Sequence, residues 1–155
     1  MPLRNPWFWI AAIASYGLDR ATKEWIVHHF ALKETLPLWP EVFHLTYVTN
    51  PGAAFSILQG WGGLRWLSLG VSVALMALAW FGPKLVRREQ VGYGLVLGGA
   101  LGNGLDRFLT GEVVDFFDLR LIRFPIFNVA DISINLGILC LIWVMWQQSR
   151  SERSH

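Results

Sequence analysis

The sequence has 155 residues, of which 54% are apolar and 15% are charged, and its net charge at pH 7 is +2. This composition is more apolar and less charged than that of an average soluble domain, so we expect one membrane-embedded domain over residues 1–155. The few basic residues form no run interleaved with aromatic residues, which argues against nucleic acid as a partner. The single cysteine, Cys140, excludes an internal disulfide.

The first hydrophobic segment, residues 7–27, is predicted to cross the membrane. Its first 12 residues carry no charge, whereas its second half holds four charged residues. A cleaved signal peptide is an alternative, but the apolar core before Ala12-Ile13-Ala14, which resembles a cleavage site, is very short. Asp19 and Lys23 lie four residues apart on one helix face and can form an ion pair, either purely structural or part of a site.

Residues 28–65 contain enough proline and glycine to exclude a membrane span. Within them, residues 43–49 are rich in aromatic and β-branched side chains, which predicts a short strand. The sequence Asn50-Pro51-Gly52 then turns the chain. Two roles stay open for Asn50, a turn residue that binds its own backbone or an amide that binds the backbone of a substrate.

Three more segments are predicted to span the membrane, at residues 64–82, 91–109 and 129–146. The third has glycine at every fourth position from Gly94 to Gly102, which allows helix backbones to approach closely. No strand precedes this glycine run, so a phosphate-binding loop is disfavoured. Tryptophans near the span ends fit an interfacial aromatic belt.

The distribution of basic residues predicts which side of the membrane each loop faces. With both termini in the cytoplasm, six basic residues lie on that side: Arg4, Lys84, Arg87, Arg88, Arg150 and Arg153. The long loops on the opposite side hold three: Lys33, Arg120 and Arg123. Basic residues concentrate in cytoplasmic loops, so this orientation is favoured and the polar residues discussed next lie near the outer face.

A cluster of polar side chains lies between residues 98 and 135 of this otherwise apolar chain. Its members are Asn103, Asp106, Arg107, Asp115, Asp118, Asn128 and Asp131. Ionisable groups at membrane depth cost about 2.5 to 3.5 kcal/mol each, so the cluster indicates a functional site. The first three share one face at the end of the third span and are expected to face the interior of the helix bundle.

Asp115 and Asp131 could approach each other if the residues between them fold back. Two adjacent carboxyl groups share a proton, so one can accept a proton from water while the other polarises a carbonyl group, as in aspartic proteases. Asn128 and Asp131 could instead cap the fourth helix, and spacing alone does not decide between capping and catalysis. No histidine is placed to activate a serine. Hydrolysis by a metal bound to His28, His29 or His44 stays open, although their spacing is not that of a catalytic metal site.

Five motifs occur in order along the chain: LDRATK at 18–23, NPGAAFS at 50–56, GNGLDR at 102–107, VVDFFD at 113–118 and FNVAD at 127–131. Together they resemble the motif set of bacterial lipoprotein signal peptidase, signal peptidase II. The resemblance implies an all-α membrane protein with four transmembrane helices and a small extracytoplasmic segment containing β-structure. It also implies an aspartic endopeptidase of the bacterial inner membrane that cleaves prolipoproteins before a diacylglyceryl-modified cysteine.

The resemblance assigns roles by position, with Asp115 and Asp131 as the catalytic pair. The residues that bind substrate or support the site are then Asn50, Gly52, Asn103, Arg107, Asn128, Asp19, Lys23, Asp106 and Ala130. No cofactor or metal is expected, and the partners are lipidated prolipoproteins and membrane lipids, with the enzyme as a monomer. Residues 119–126 match no motif and are expected to form part of a flap over the site.

One function of a different class is compatible with membrane-embedded carboxylates. A small proton-coupled transporter or channel subunit uses such groups as a proton relay. A relay places acids along several helices through the bilayer, whereas the acids here are concentrated at one end. A purely structural membrane protein is the third alternative.

Overall fold

The computed structural model describes residues 4–52, 62–122 and 124–152, which form four long helices and three short strands. The helices are α1 Pro6–His29, α2 Gly63–Phe81, α3 Arg87–Leu109 and α4 Val129–Glu152. The strands are β1 Thr35–Trp39, β2 Phe43–Asn50 and β3 Val113–Leu119. Residues 53–56 of the NPGAAFS motif, and Arg123 and Arg153 of the charge count, lie outside the described residues.

The four helices lie at the four predicted spans, although three are longer than expected, α3 and α4 by four or more residues. α3 begins at Arg87 and α4 ends at Glu152, so each continues beyond its apolar segment into charged sequence. Among the described residues, Gly63–Phe81 and Val129–Arg150 are long and apolar enough to cross a membrane by composition. α1 and α3 do not reach this level because charged residues, and in α3 also glycines, reduce their apolar content.

α3 is the central helix and packs against each of the other three helices. The predicted glycine ridge is confirmed, because these positions leave no space for a side chain. A Cβ atom on Gly98 would lie 2.6 Å from the carbonyl oxygen of Ala12, and one on Gly102 would collide with the carboxylate of Asp19. The glycines therefore allow α1 to lie directly against α3.

A second close approach joins α3 to α2, whose main packing partner is α3. A Cβ atom on Gly104 would lie 3.0 Å from the Cβ of Ser68. A bulkier residue at this position would require α2 to move outward.

The three strands form one antiparallel sheet in the order β1-β2-β3. β2 confirms the strand predicted at residues 43–49, and β3 lies in the segment that follows α3. β1 was not predicted, and all five of its residues are exposed. Proline is tolerated at such an edge because one side of the strand needs no hydrogen bonds, which explains Pro37.

The chain after β3 folds back onto the strand that it has just left. Phe127 bridges to Phe117, and its carbonyl oxygen accepts hydrogen bonds from the backbone N–H groups of Phe116 and Phe117 at 3.1 and 2.8 Å. Beneath this bridge, Phe116 packs with Ile26 of α1 and Val129 of α4 in a buried apolar cluster. The return of the chain places the start of α4 beside the middle of β3, as the proposed approach of the two carboxylates requires.

Candidate active site

The candidate site is centred on Asp115 of β3 and Asp131 in the first turn of α4, which are joined through Asn128. The Asn128 side-chain amide donates a hydrogen bond to Oδ1 of Asp115 at 2.6 Å. The backbone N–H of Asn128 donates to Oδ2 of Asp131 at 3.2 Å. One asparagine therefore contacts both carboxylates, and the predicted approach of the two acids is observed.

The same residues also form the predicted helix cap. The backbone N–H of Asp131 donates to the side-chain oxygen of Asn128 at 3.0 Å, which completes a reciprocal pair of capping bonds with the contact described above. The sequence left capping and participation in the site as alternatives for Asn128 and Asp131, but the geometry allows both. The carboxylate of Asp131 uses Oδ2 for the cap and accepts another hydrogen bond at Oδ1.

Asp115 is almost completely buried, with 2% of its surface exposed. Burial raises the pKa of its carboxyl group to about 7, and the negative charge of Asp131 contributes to this rise. Hydrogen bonds from the amides of Asn50 and Asn128, and the positive charge of Lys23, act in the opposite direction and favour the ionised form. Near neutral pH, Asp115 is therefore able to hold or release a proton.

Asn103 connects this pair of acids to a buried network of charges. Its amide donates to Oδ1 of Asp131 at 2.9 Å, and its side-chain oxygen accepts hydrogen bonds from Asn128 at 3.0 Å and from the ammonium group of Lys23 at 2.9 Å. Because every polar atom of the Asn103 side chain is used, its orientation is fixed. Asn103 therefore turns its amide nitrogen, and not its oxygen, toward Asp131.

Lys23 is held by two carboxylates, both at 2.8 Å, one from Asp19 and one from Asp106. Asp19 also accepts a hydrogen bond at 2.9 Å from the backbone N–H of Ala130, which belongs to the first turn of α4. Arg20, which the sequence did not single out, forms a second ion pair with Asp106. The Asp19–Lys23 pair predicted from spacing is thus part of a network that joins α1, α3 and α4 beneath the site.

Asn50 fulfils the turn role predicted for it, and its amide has a second contact. Its side-chain oxygen accepts a hydrogen bond from the N–H of Gly52 at 2.9 Å, while its amide donates to Oδ2 of Asp115 at 3.1 Å. The guanidinium of Arg107 donates to the carbonyl oxygen of Gly52 at 3.0 Å and to that of Asn103 at 3.3 Å. Arg107 therefore ties the turn after β2 to α3 and holds Asn50 against Asp115.

A cavity of about 450 Å³ opens onto both carboxylates. Its polar residues are Asn50, Asn103, Arg107, Asp115, Asp131 and Asn135. Its apolar residues come mainly from the segment after β3 and from α4: Val113, Leu119, Ile122, Phe124, Pro125, Ile126, Phe127, Ile132 and Leu136. The segment expected to form a flap thus lines one side of the cavity.

The sequence reasoning missed Asn135 and included Asp118. Asn135 lies four residues after Asp131 in α4, so helical spacing from Asp131 could have identified it. Asp118 binds Thr46 and Arg120 on the sheet and does not line the cavity. Its three-residue separation from Asp115 places the two on opposite faces of β3. Among the described residues, no group of three or more His, Cys, Asp or Glu could hold a metal ion.

Two solved structures share this fold and identify its class. One is a bacterial membrane enzyme determined by the in meso method at 2.3 Å resolution, with a TM-score of 0.83, 31% identity and coverage of 90% of this chain and 87% of the other. The other, determined at 1.9 Å, has a TM-score of 0.77, 32% identity and coverage of 88% and 90%. The chain thus has the architecture of a bacterial membrane enzyme.

Sequence comparisons give the family. Residues 11–147 match the family model described as signal peptidase (SPase) II. The lipoprotein signal peptidase of Cyanothece sp. is 60% identical, covering 99% of this chain and 91% of the relative. That of Nostoc punctiforme is 58% identical (96% and 95%), and that of Thermosynechococcus vestitus is 59% identical (93% and 94%). The chain belongs to the signal peptidase II family and is a membrane protease, and the transporter alternative is not favoured.

Proposed function

We propose that Asp115 and Asp131 are the catalytic pair with which this member of the family removes signal peptides from prolipoproteins. The observation that carries the proposal is the position of Asn128, which contacts both carboxylates at the wall of a cavity. The other buried carboxylates of the described helices, Asp19 and Asp106, are paired with Lys23. Asp115 and Asp131 form no ion pair within the described part of the chain.

The different environments of the two acids suggest different roles. Asp115 is buried and has a raised pKa, so it carries the shared proton and donates it to the oxygen of the scissile carbonyl. Asp131 is half-buried at the wall of the cavity and takes the complementary role, in which it accepts a proton from the attacking water. The C–N bond then breaks as Asp131 gives its proton to the departing amine. Asp115 takes back a proton from one hydroxyl group of the tetrahedral intermediate, which leaves a carboxylic acid and restores the starting state of the pair. No metal or covalent intermediate takes part.

The remaining polar residues position this pair. Asn50 and Asn128 orient Asp115, and Asn103 orients Asp131. Lys23 holds Asn103, and Asp19 and Asp106 hold Lys23. Arg107 and Gly52 hold the turn that carries Asn50. Ala130 completes the support by fixing the first turn of α4 to α1.

The substrate class follows from the family and from the apolar wall of the cavity. A prolipoprotein carries a diacylglyceryl group on the cysteine that follows the scissile bond, and its acyl chains can bind beside Ile122, Ile126 and Leu136. Each buried methylene contributes about 0.8 kcal/mol, so two long chains hold the scissile bond at the depth of the carboxylates more strongly than a peptide side chain could. The lipid thus provides positioning as well as affinity.

The membrane arrangement completes the proposal. All four helices of one monomeric domain span the inner membrane, with charged residues of α1 and α3 facing the bundle interior rather than lipid. Both termini face the cytoplasm, so the carboxylates lie near the outer face and the sheet lies outside.

Labelling of single cysteines with a membrane-impermeant thiol reagent tests this orientation. In a Cys140→Ala background, the exposed position Leu121→Cys should be labelled in intact cells, and the exposed position Val86→Cys should not. Labelling of Val86→Cys alone would show the opposite orientation, with the termini outside the cell.

The decisive experiment compares one precursor with and without its diacylglyceryl group, in detergent micelles and with a chelator present. We expect cleavage of the lipidated precursor immediately before the modified cysteine, and cleavage of the unmodified precursor reduced by at least 100-fold. Equal rates would contradict positioning by the lipid. Loss of all activity on chelation, restored by added metal, would contradict hydrolysis by two carboxylates alone.

A further inference from the structure

A second cavity lies at the end of the helix bundle opposite the carboxylates. It has a volume of about 1,060 Å³ and lies between the start of α1, the end of α2 and the start of α3. Its lining residues are Arg4, Asn5, Pro6, Trp7, Trp9, Trp80, Lys84, Leu85, Arg87 and Gln90. Arg87 is separated from Asn103 by 16 helical residues, about 24 Å along α3, so this cavity is not part of the candidate active site.

The charges of this second cavity are all of one sign. Arg4, Lys84 and Arg87 line it, and no carboxylate does. Within the described ranges, none of these three cations takes part in an ion pair. The guanidinium of Arg87 lies over the ring of Trp7, 3.9 Å from its centroid, which fixes the position of its charge.

The cations lie on a rigid base. Asn5, which is 2% exposed, donates to the carbonyl oxygen of Ala79 at 3.1 Å and accepts a hydrogen bond from the N–H of Leu85 at 3.0 Å. Gln90, also buried, accepts from the N–H of Trp7 at 3.1 Å and donates to the carbonyl oxygen of Leu85 at 2.7 Å. These bonds join α1, α2 and the loop before α3, so the cavity is formed in advance of any ligand.

Aromatic side chains form a large part of the wall. Trp7, Trp9 and Trp80 line the cavity, and the last two are in edge-to-face contact with centroids 6.2 Å apart. The indole Nε1 of Trp9 is buried and has no hydrogen-bond acceptor among the described residues. Tryptophan is favoured at the depth where lipid glycerol and headgroups meet the acyl chains. A site lined by both cations and indoles matches a whole lipid rather than a free anion.

We infer that this second cavity binds the headgroup of an anionic phospholipid, with the phosphate between Lys84 and Arg87 and the upper acyl chains along the tryptophans. In the proposed orientation the lipid comes from the cytoplasmic leaflet, where basic residues next to a membrane span attract anionic lipids. The inference goes beyond peptide cleavage, because the lipid is neither substrate nor product and binds at the opposite membrane face.

The test measures lipid binding to the purified full-length protein by native mass spectrometry. Dimyristoyl phosphatidylglycerol is titrated against dimyristoyl phosphatidylcholine, and inorganic phosphate is added in a separate series. We expect at least tenfold tighter binding of the anionic lipid, and at least a tenfold weakening of that binding in the double variant Lys84→Gln/Arg87→Gln. Precursor cleavage by this variant in phosphatidylcholine should be unchanged, which shows that it is folded.

Arg88 provides the matched control. It is adjacent to Arg87, but it contacts Gln147 and the ring of Trp143 and does not line the cavity. Arg88→Gln removes the same charge from the same membrane face, and it should leave binding unchanged, whereas Arg87→Lys should retain most of it. Equal weakening by Arg88→Gln, or equal binding of the two lipids, would overturn the inference. Full competition by inorganic phosphate would show a free-anion site and would overturn it as well.

Discussion

The buried carboxyl group of Asp115 should make the stability of the protein depend on pH in a way that one substitution removes. Its pKa in the folded protein is about 7, compared with an ordinary value of 3.8. At pH values between these two pKa values, the Asp115 carboxyl group of the native protein keeps a proton that it has lost in the unfolded chain. The free energy of unfolding therefore decreases as pH rises from about 4, and this decrease is complete above about pH 7.

The size of the effect follows from the two pKa values. One pKa unit corresponds to about 1.4 kcal/mol, and linkage over the range from pH 5 to pH 8.5 gives a loss of about 3 kcal/mol for this group. In a chain of this length, that loss corresponds to a decrease in Tm of about 5 to 10 °C. Asp115→Asn cannot ionise, so its Tm should lack this part of the decrease.

Thermal unfolding in detergent at pH 5 and at pH 8.5 measures the effect. In Asp115→Asn the new amide faces a donor from either Asn50 or Asn128, which costs about 1 kcal/mol at both pH values and cancels in the comparison. Asn50→Ala removes an amide that favours the ionised form, so its Tm should fall more steeply with pH than that of the wild type. An equal change in Tm for the wild type and Asp115→Asn would refute the reasoning.

Two further predictions concern activity and packing. Asp131→Asn should reduce precursor cleavage by at least 100-fold in a quantitative assay, because asparagine cannot accept a proton from water. Its stability should fall by only about 1 kcal/mol, since asparagine preserves the helix cap with Asn128 but turns its own amide toward the amide of Asn103. Turnover near the wild-type value would limit Asp131 to capping. Gly102→Ala should lower stability by about 1 to 3 kcal/mol in thermal unfolding, because its Cβ meets the carboxylate of Asp19. Gly17→Ala, where nothing lies within 4 Å, is the control and should be neutral or stabilising; equal losses in both variants would contradict the packing argument.

The helices and one strand could be predicted because their signals are local. Long apolar segments mark the positions of α1 to α4, and alternating aromatic and β-branched residues mark β2. β1 could not be predicted, since it contains Pro37 and gains its strand conformation only by pairing with β2. The lengths of α3 and α4 were underestimated because hydropathy defines the membrane-embedded part of a helix and not where its hydrogen bonds end.

The residues of the candidate site could be predicted from the sequence better than the hydrogen bonds that connect them. Spacing placed Asn103 and Arg107 together and gave both roles for Asn128 as alternatives, but it did not show that one side chain performs both. Asp118 was grouped with Asp115 because they are close in sequence, although the alternation of a strand separates them. The contact between Asn50 and Asp115 depends on the pairing of Val48 with Asp115 in the sheet, which no local pattern specifies.

The fold-back of the chain between Phe117 and Phe127 has a consequence for the behaviour of the protein in different bilayers. Helices respond to hydrophobic mismatch by tilting, which changes distances between residues on separate helices. The candidate catalytic carboxylates are linked through Asn128 within a single stretch of 17 residues, from Asp115 to Asp131. α2 packs mainly against α3 and carries neither carboxylate, so a change in its tilt leaves the link through Asn128 in place. The distance between the two carboxylates therefore does not depend on the thickness of the surrounding bilayer.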